Sequence, residues 1–273
     1  MTVFVNGKFV PCQEARVSVL SPGFLHGWGL FETMRSLNNK IVYLNSHLAR
    51  LKNSSKLIGL NLKYPAQKIK KIIRELVKIH NLKDAYIRVT LWKEEGAKSG
   101  ISVIARKYKP LPQSKKAQGF VCLVSGLRQS EGSNLTHCKA ASLFYQLAYK
   151  EAKDAGLDEA IILNNAGIIC EGSRTNIFLV RNSELFTPAL DCGCLPGITR
   201  QVVLDIAKKN NLKVNEGEFI LQDLYSADEV FLTNSLMGVM PIKSVEGLRI
   251  GKTKGKDSPA AFLSREYNKL LQK

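Results

Sequence analysis

The sequence predicts an α/β protein of two domains, a smaller one over residues 1–109 and a larger one over residues 119–273, with a linker at 110–118. Three observations predict it. Short strand-like runs alternate with segments whose apolar residues recur at helical spacing. Pro110 and Pro112 stand in a charged stretch, Lys107-Tyr108-Lys109-Pro110-Leu111-Pro112-Gln113-Ser114-Lys115-Lys116, which reads as a connection between folded bodies. At 273 residues the chain is long enough for one large core or two ordinary ones.

In the first part, residues 2–5, 41–43, 86–90 and 101–105 read as strands. Two helices interrupt them. The first carries Leu44, Leu48, Leu51 and Ile58 along one face, and the second carries Ile69, Ile72, Ile73, Leu76 and Val77. In the second part, 120–125 reads as a strand and 142–155 as a helix. Strands at 160–163 and 167–170 flank Asn164-Asn165-Ala166, a hairpin turn, and 176–180 continues the sheet. Residues 198–209 form a helix with Val202, Val203 and Ile206 inward, and 229–232 is a further strand. Ser258-Pro259 caps a last helix whose apolar face is Phe262, Leu263, Tyr267 and Leu270.

Composition narrows the function classes. Hydrophobic content of 45% and charged content of 23% are those of a globular protein. No apolar run reaches the roughly 18 residues that span a bilayer. The start, Met1-Thr2-Val3-Phe4-Val5-Asn6-Gly7, lacks a basic flank and a long apolar segment, so a cytoplasmic location and no membrane partner are expected. The cysteines are Cys12, Cys122, Cys138, Cys170, Cys192 and Cys194. Cys192-Gly193-Cys194 lacks the two-residue gap common in zinc and redox pairs, so no metal and reduced thiols are expected. The net charge is +17, but Lys68, Lys70, Lys71, Lys78, Lys208 and Lys209 spread over several helical faces. Without an interleaved aromatic motif this reads as solvated surface that attracts small anions, with no nucleic-acid partner.

The chemistry gathers at three places. Lys139 stands in Thr136-His137-Cys138-Lys139-Ala140, at the head of a helical stretch. Glu171 follows 32 residues later and opens Glu171-Gly172-Ser173-Arg174-Thr175-Asn176. The turn Leu195-Pro196-Gly197-Ile198-Thr199-Arg200 then leads into another helix. An amine nucleophile, a carboxylate and a helix start suited to phosphate are what pyridoxal 5'-phosphate needs. Lys139 is the catalytic amine that attacks the cofactor aldehyde, for which it must be partly deprotonated. Glu171 is assigned to the pyridine nitrogen, where an ionised carboxylate keeps the ring protonated and able to accept electrons. Gly197, Ile198 and Thr199 present backbone N–H groups, and Thr199 a hydroxyl, to the phosphate. Arg50 shares a helix face with His47 and is a second phosphate candidate, from the other domain. Thr233-Asn234-Ser235 follows an apolar strand, and Ser235 adds a hydroxyl contact.

These residues resemble the class IV aminotransferases, the fold-type-IV pyridoxal phosphate enzymes, over nearly the whole chain. Ser21-Pro22-Gly23-Phe24-Leu25-His26-Gly27-Trp28-Gly29-Leu30-Phe31-Glu32-Thr33-Met34-Arg35 is similar to the family's N-terminal signature. His47 to Leu51 resembles the segment whose arginine contacts phosphate, and Lys139 matches the cofactor lysine. Asp158-Glu159-Ala160 and then Glu171 through Phe178 resemble the segment that holds the pyridine partner. Thr187-Pro188, Gly197-Ile198-Thr199-Arg200, Ala227-Asp228-Glu229-Val230-Phe231 and Pro241-Ile242 continue in the family's order. The resemblance implies a D-amino-acid-aminotransferase-like fold, with a smaller N-terminal α/β domain and a larger C-terminal one that binds the cofactor between them. It also implies a homodimer whose neighbouring subunit helps form the substrate pocket.

Within the family, Thr233-Asn234-Ser235-Leu236-Met237-Gly238-Val239-Met240-Pro241-Ile242 is most similar to 4-amino-4-deoxychorismate lyases, which form 4-aminobenzoate and pyruvate on the route to folate. That lyase activity is the expectation. A branched-chain or D-amino-acid aminotransferase is the alternative, and a keto acid requirement separates the two. Phe31 occupies a position that is tyrosine in D-amino-acid aminotransferases. After Tyr86-Ile87-Arg88-Val89-Thr90 the chain departs from the family pattern with Leu91-Trp92-Lys93-Glu94-Glu95-Gly96. Phe31, Arg88, Lys93 and Arg106 are candidate substrate contacts. A third reading is a basic binding protein that has lost the chemistry; intact Lys139, Glu171 and Arg50 argue against it.

Overall fold

The computed structural model describes residues 1–251 and 258–272. They form two compact units. The first comprises Met1–Lys109 together with Cys138–Ser142, and the second comprises Pro110–His137 and Leu143 onward. The short segment around Lys139 thus belongs to the first unit, whereas the sequence places it in the C-terminal domain.

The first unit holds strands β1 (Thr2–Val5), β2 (Lys8–Pro11), β3 (Gly29–Leu37), β4 (Lys40–Ile41), β5 (Ala85–Lys93) and β6 (Ser99–Lys107). It also holds helices α1 (Pro22–Leu25), α2 (Leu44–Leu57) and α3 (Ala66–Ile79). The strands make one antiparallel sheet in the order β2-β1-β6-β5-β3-β4. The predicted stripes Leu44, Leu48, Leu51 and Ile69, Ile72, Ile73, Leu76 close over Leu30, Met34, Ile87, Val89 and Val103 in a single core. Burying such side chains is worth roughly 1.5–3 kcal/mol each and is the main force holding the helices on the sheet.

Strand β3 is not apparent in the sequence. Its inward face alternates Leu30, Glu32, Met34 and Ser36, so two polar residues interrupt the apolar period. The expected strand at 41–43 ends at Ile41, because Tyr43 takes a left-handed φ of 48° and starts α2. The segment after the predicted strand 86–90 extends β5 through Trp92. Gly23 and Gly100 pack against its indole, and a Cβ at Gly100 would lie 2.3 Å from it. This contact fixes the signature segment on the β5–β6 hairpin.

The second unit continues with α4 (Gln113–Gln118), β7 (Phe120–Gln129), α5 (Leu143–Asp154), β8 (Glu159–Asn164), β9 (Ile169–Gly172), β10 (Asn176–Arg181) and β11 (Glu184–Pro188). After these come α6 (Ile198–Lys209), β12 (Val214–Gly217), α7 (Leu221–Tyr225), β13 (Glu229–Asn234), β14 (Gly238–Val245), β15 (Leu248–Arg249) and α8 (Pro259–Gln272). The sheet runs β12-β11-β10-β13-β14-β7-β8-β9, with β15 on β14. β7 lies parallel to both β14 and β8, and every residue of β8 is buried, as befits a covered central strand. The expected linker carries helix α4. On α8, Leu263 and Tyr267 are buried, but Leu271 and not the exposed Leu270 completes that face. Ser258 caps α8, its hydroxyl accepting from Ala261 N at 3.3 Å.

Candidate active site

In the first unit, β3 turns Glu32 into the core, where a bare carboxylate is costly. One helical turn of α2 supplies both partners. Arg50 Nε reaches Glu32 Oε1 at 2.7 Å, Arg50 Nη2 reaches Oε2 at 2.7 Å, and His47 Nδ1 lies 2.7 Å from Oε2. Burial alone would raise the Glu32 carboxyl, but the Arg50 charge and the hydrogen bonds from Arg50 and His47 hold it at about 2. His47 is pushed down by burial, against the pull of Glu32 and with the charges of Arg50 and Lys139 adding to the depression. Its ring is therefore neutral at neutral pH and donates Nδ1–H to the carboxylate. The structure commits two nitrogens of Arg50 to Glu32.

Lys139 is held by the backbone of β3. Phe31 N donates to Lys139 O at 2.9 Å, Ala141 N donates to Gly29 O at 3.1 Å, and Leu30 bridges Ala140. The lysine thus precedes helix α5, which begins at Leu143. Lys139 Nζ stands 4.8 Å from the centroid of the Phe31 ring, and the Arg88 guanidinium stands 3.8 Å from the same centroid. Arg88 Nε also donates to Thr90 Oγ1 at 3.3 Å. Phe31, Arg88 and Lys139 are therefore brought together. Lys93 and Arg106 are not. Lys93 leaves the opposite face of β5 and sits over Trp28, while Arg106 covers Tyr86. Tyr86 lies four residues along β5 from Thr90, the residue opposite Phe31, which is about 13 Å.

In the second unit, Glu171 is 5% exposed near the end of β9. Tyr145 donates its hydroxyl to Oε1 at 2.8 Å. Oε2 accepts from Leu195 N at 3.0 Å and from Asn176 Nδ2 at 3.3 Å. Asn176 also donates to Leu195 O at 2.8 Å, which ties the carboxylate to the turn before α6. At that helix Gly197 is the N-cap, and no side chain caps it. A Cβ there would lie 1.9 Å from Asn176 Oδ1, so glycine is required. Thr199 Oγ1 and Thr233 Oγ1 are buried without a hydrogen-bond partner among the described residues. Buried hydroxyls of this kind fit a bound anion, and the uncapped N–H groups of Ile198 and Thr199 fit the same group. Ser235 is half-buried in the turn after β13. Arg200 is turned away, onto Pro188 O at 2.9 Å and Glu216 Oε2 at 2.8 Å.

Glu32 and Tyr145 do not stand out in the sequence as site residues. The signal for Glu32 was present: a carboxylate among Leu30, Phe31 and Met34, with His47 and Arg50 on one helix face, implies a buried ion pair. Tyr145 carried no such signal, because α5 presents Phe144, Tyr145 and Tyr149 alike.

Residues 29–245 match the family model for amino-transferase class IV. The chain belongs to this family. Among similar curated proteins is one from Methanocaldococcus jannaschii, named "Putative branched-chain-amino-acid aminotransferase", 33% identical over 90% of this chain and 88% of its own length. The D-alanine aminotransferase of Bacillus licheniformis is 29% identical over 92% of this chain and 90% of its own length. Among solved structures, the branched-chain aminotransferase of Thermoproteus uzoniensis with norvaline superposes with a TM-score of 0.90 at 31% identity, covering 99% of this chain and 94% of that one. The chain is a fold-type-IV class IV aminotransferase and uses pyridoxal phosphate. These relatives support the aminotransferase alternative in preference to the lyase expected from the 233–242 segment. Within that segment Asn234 Oδ1 accepts from Leu236 N and Met237 N, so its asparagine builds a turn.

Proposed function

We propose that the chain transfers the amino group of a branched-chain amino acid to a 2-keto acid. The observation that carries this reading is the grouping at Phe31, which sets an apolar ring beside the Lys139 amine and under the Arg88 guanidinium. An amino acid with an apolar side chain and one carboxylate is complementary to that grouping. Pyridoxal phosphate supplies an aldehyde for the substrate amine and a ring that takes up the electron pair of the Cα–H bond. Lys139 would hold the cofactor through its amine, and that amine would move the substrate Cα proton. Glu171 would keep the pyridine nitrogen protonated. Gly197, Ile198, Thr199, Thr233 and Ser235 would hold the phosphate, with Arg50 assisting. Arg88 pairs with a substrate carboxylate, and Phe31 faces the substrate side chain.

The chain acts as a homodimer in this reading. The exposed apolar residues Val19, Leu20, Phe24 and Leu25 support it, since a monomer rarely leaves such a run in water. A D-amino acid donor is the second reading, favoured by the D-alanine aminotransferase relative and opposed by phenylalanine at position 31.

The test supplies cofactor-loaded protein with L-leucine, L-isoleucine, L-valine or D-alanine, each with and without 2-oxoglutarate. The expected result is turnover of the branched-chain donors that stops after one equivalent when the keto acid is withheld. Turnover of D-alanine alone would replace this reading with the second. Pyruvate and 4-aminobenzoate released from 4-amino-4-deoxychorismate without a keto acid would overturn both.

A further inference from the structure

The Glu171 carboxylate does not stand alone on β9. Its Oε1 accepts from the Tyr145 hydroxyl at 2.8 Å, and that hydroxyl in turn accepts from Gln129 Nε2 at 2.7 Å. Gln129 ends β7, Tyr145 lies in the first turn of α5, and Glu171 lies on β9, so a hydrogen-bonded chain through the tyrosine hydroxyl links three elements. Gln129 is itself confined: a Cβ at Gly193 would lie 3.0 Å from its Cγ, and Gly193 holds a φ of 100° in the turn that delivers Leu195 N to Oε2. Burial and the Glu171 charge both push the Tyr145 phenol up, which keeps it the donor of this pair.

We propose that Tyr145, anchored by Gln129, is a positioning residue that fixes the direction in which Glu171 meets the pyridine nitrogen. The proposal rests on Glu171 being the partner of that nitrogen. A carboxylate fixed at one oxygen by a tyrosine and at the other by a backbone N–H has one orientation in which to accept a further proton donor. The phenol adds no charge, so it orients the carboxylate without neutralising it.

The test measures the Kd of pyridoxal phosphate for cofactor-stripped protein and the pH profile of the visible band once cofactor is bound. Tyr145→Phe should raise Kd about tenfold and shift that profile, and Gln129→Met should do the same to a lesser degree, about threefold. In a Glu171→Gln background Tyr145→Phe should add less than about twofold, because its effect passes through the carboxylate. A Tyr145→Phe protein with wild-type Kd and pH profile would overturn the proposal. So would a full effect that persists in the Glu171→Gln background, which would mean that the tyrosine meets the cofactor itself. If Tyr145→Phe does not fold, Gln129→Met carries the same test. If Glu171→Gln alone leaves Kd and profile unchanged, the reading of Glu171 fails first, and the two failures are distinguishable.

Discussion

Each unit buries a carboxylate beside its part of the chemistry, and the two are held by different means. Glu32 is gripped by a cation: Arg50 makes two contacts of 2.7 Å and the neutral His47 a third. Glu171 accepts from neutral donors: Tyr145, Asn176 and the Leu195 N–H. A cation cancels the charge it binds, whereas neutral donors orient a carboxylate and leave its charge to act on something else. In the proposed function, that difference distinguishes a carboxylate that builds the site from one that acts on the cofactor. Glu159, also in the second unit, marks a third case. Its oxygens accept from Ser173, Thr175 and Ala160 N, and burial pushes its carboxyl up.

Substitution can break this comparison, and the largest effect is expected at Glu171. Glu171→Gln keeps the size and most hydrogen bonds but removes the charge that supports the protonated ring. Turnover should fall about 10²- to 10³-fold with the fold intact, as steady-state kinetics and thermal melting would register. Next is Glu32→Gln, which leaves Arg50 without its buried counter-charge. Breaking such a pair costs roughly 3–5 kcal/mol, or about 10 °C in Tm for a chain of this size.

The pH dependence of stability sharpens the same point. The Glu32 carboxyl falls from 4.5 to about 2 on folding. A depressed carboxyl stabilises above its unfolded value, and that contribution, about 3 kcal/mol, is lost as pH drops from near 5 toward 2. Denaturant melts between those values should lose less stability in Glu32→Gln than in the wild type. The smallest effect belongs to Glu159→Gln, within about 1 kcal/mol at neutral pH. Because the Glu159 carboxyl is raised, its contribution is full below the unfolded value and lost as pH rises. The variant should therefore gain on the wild type as pH rises above the ordinary carboxylate range.

The elements legible in the sequence are those whose periods are clean. The stripe of α3 and the span of α6 match the structure, and β1 falls where its alternation places it. Strands β3 and β14 escape the same reading, because Glu32 and Ser36 sit on the buried face of one and Pro241 interrupts the other. The site divides in the same way. Gly197, Thr199 and Glu171 announce themselves through glycine chemistry and motif order. The hydroxyls of Tyr145 and Thr233 acquire meaning only when distant strands and helices are assembled, and no local spacing encodes that. Lys93 and Arg106 show the converse: a basic residue near a motif in sequence leaves on the wrong face, or too far along the strand, once the register is known.

The most direct test compares single-turnover reaction of L-leucine with cofactor-loaded wild type, Glu32→Gln and Glu171→Gln, without keto acid. The predicted result is that Glu32→Gln, once folded and loaded, keeps its rate of keto acid release to within about tenfold, while Glu171→Gln loses about 10²-fold or more. Equal loss in both variants, or a wild-type rate in Glu171→Gln, would contradict the division of labour between the two carboxylates.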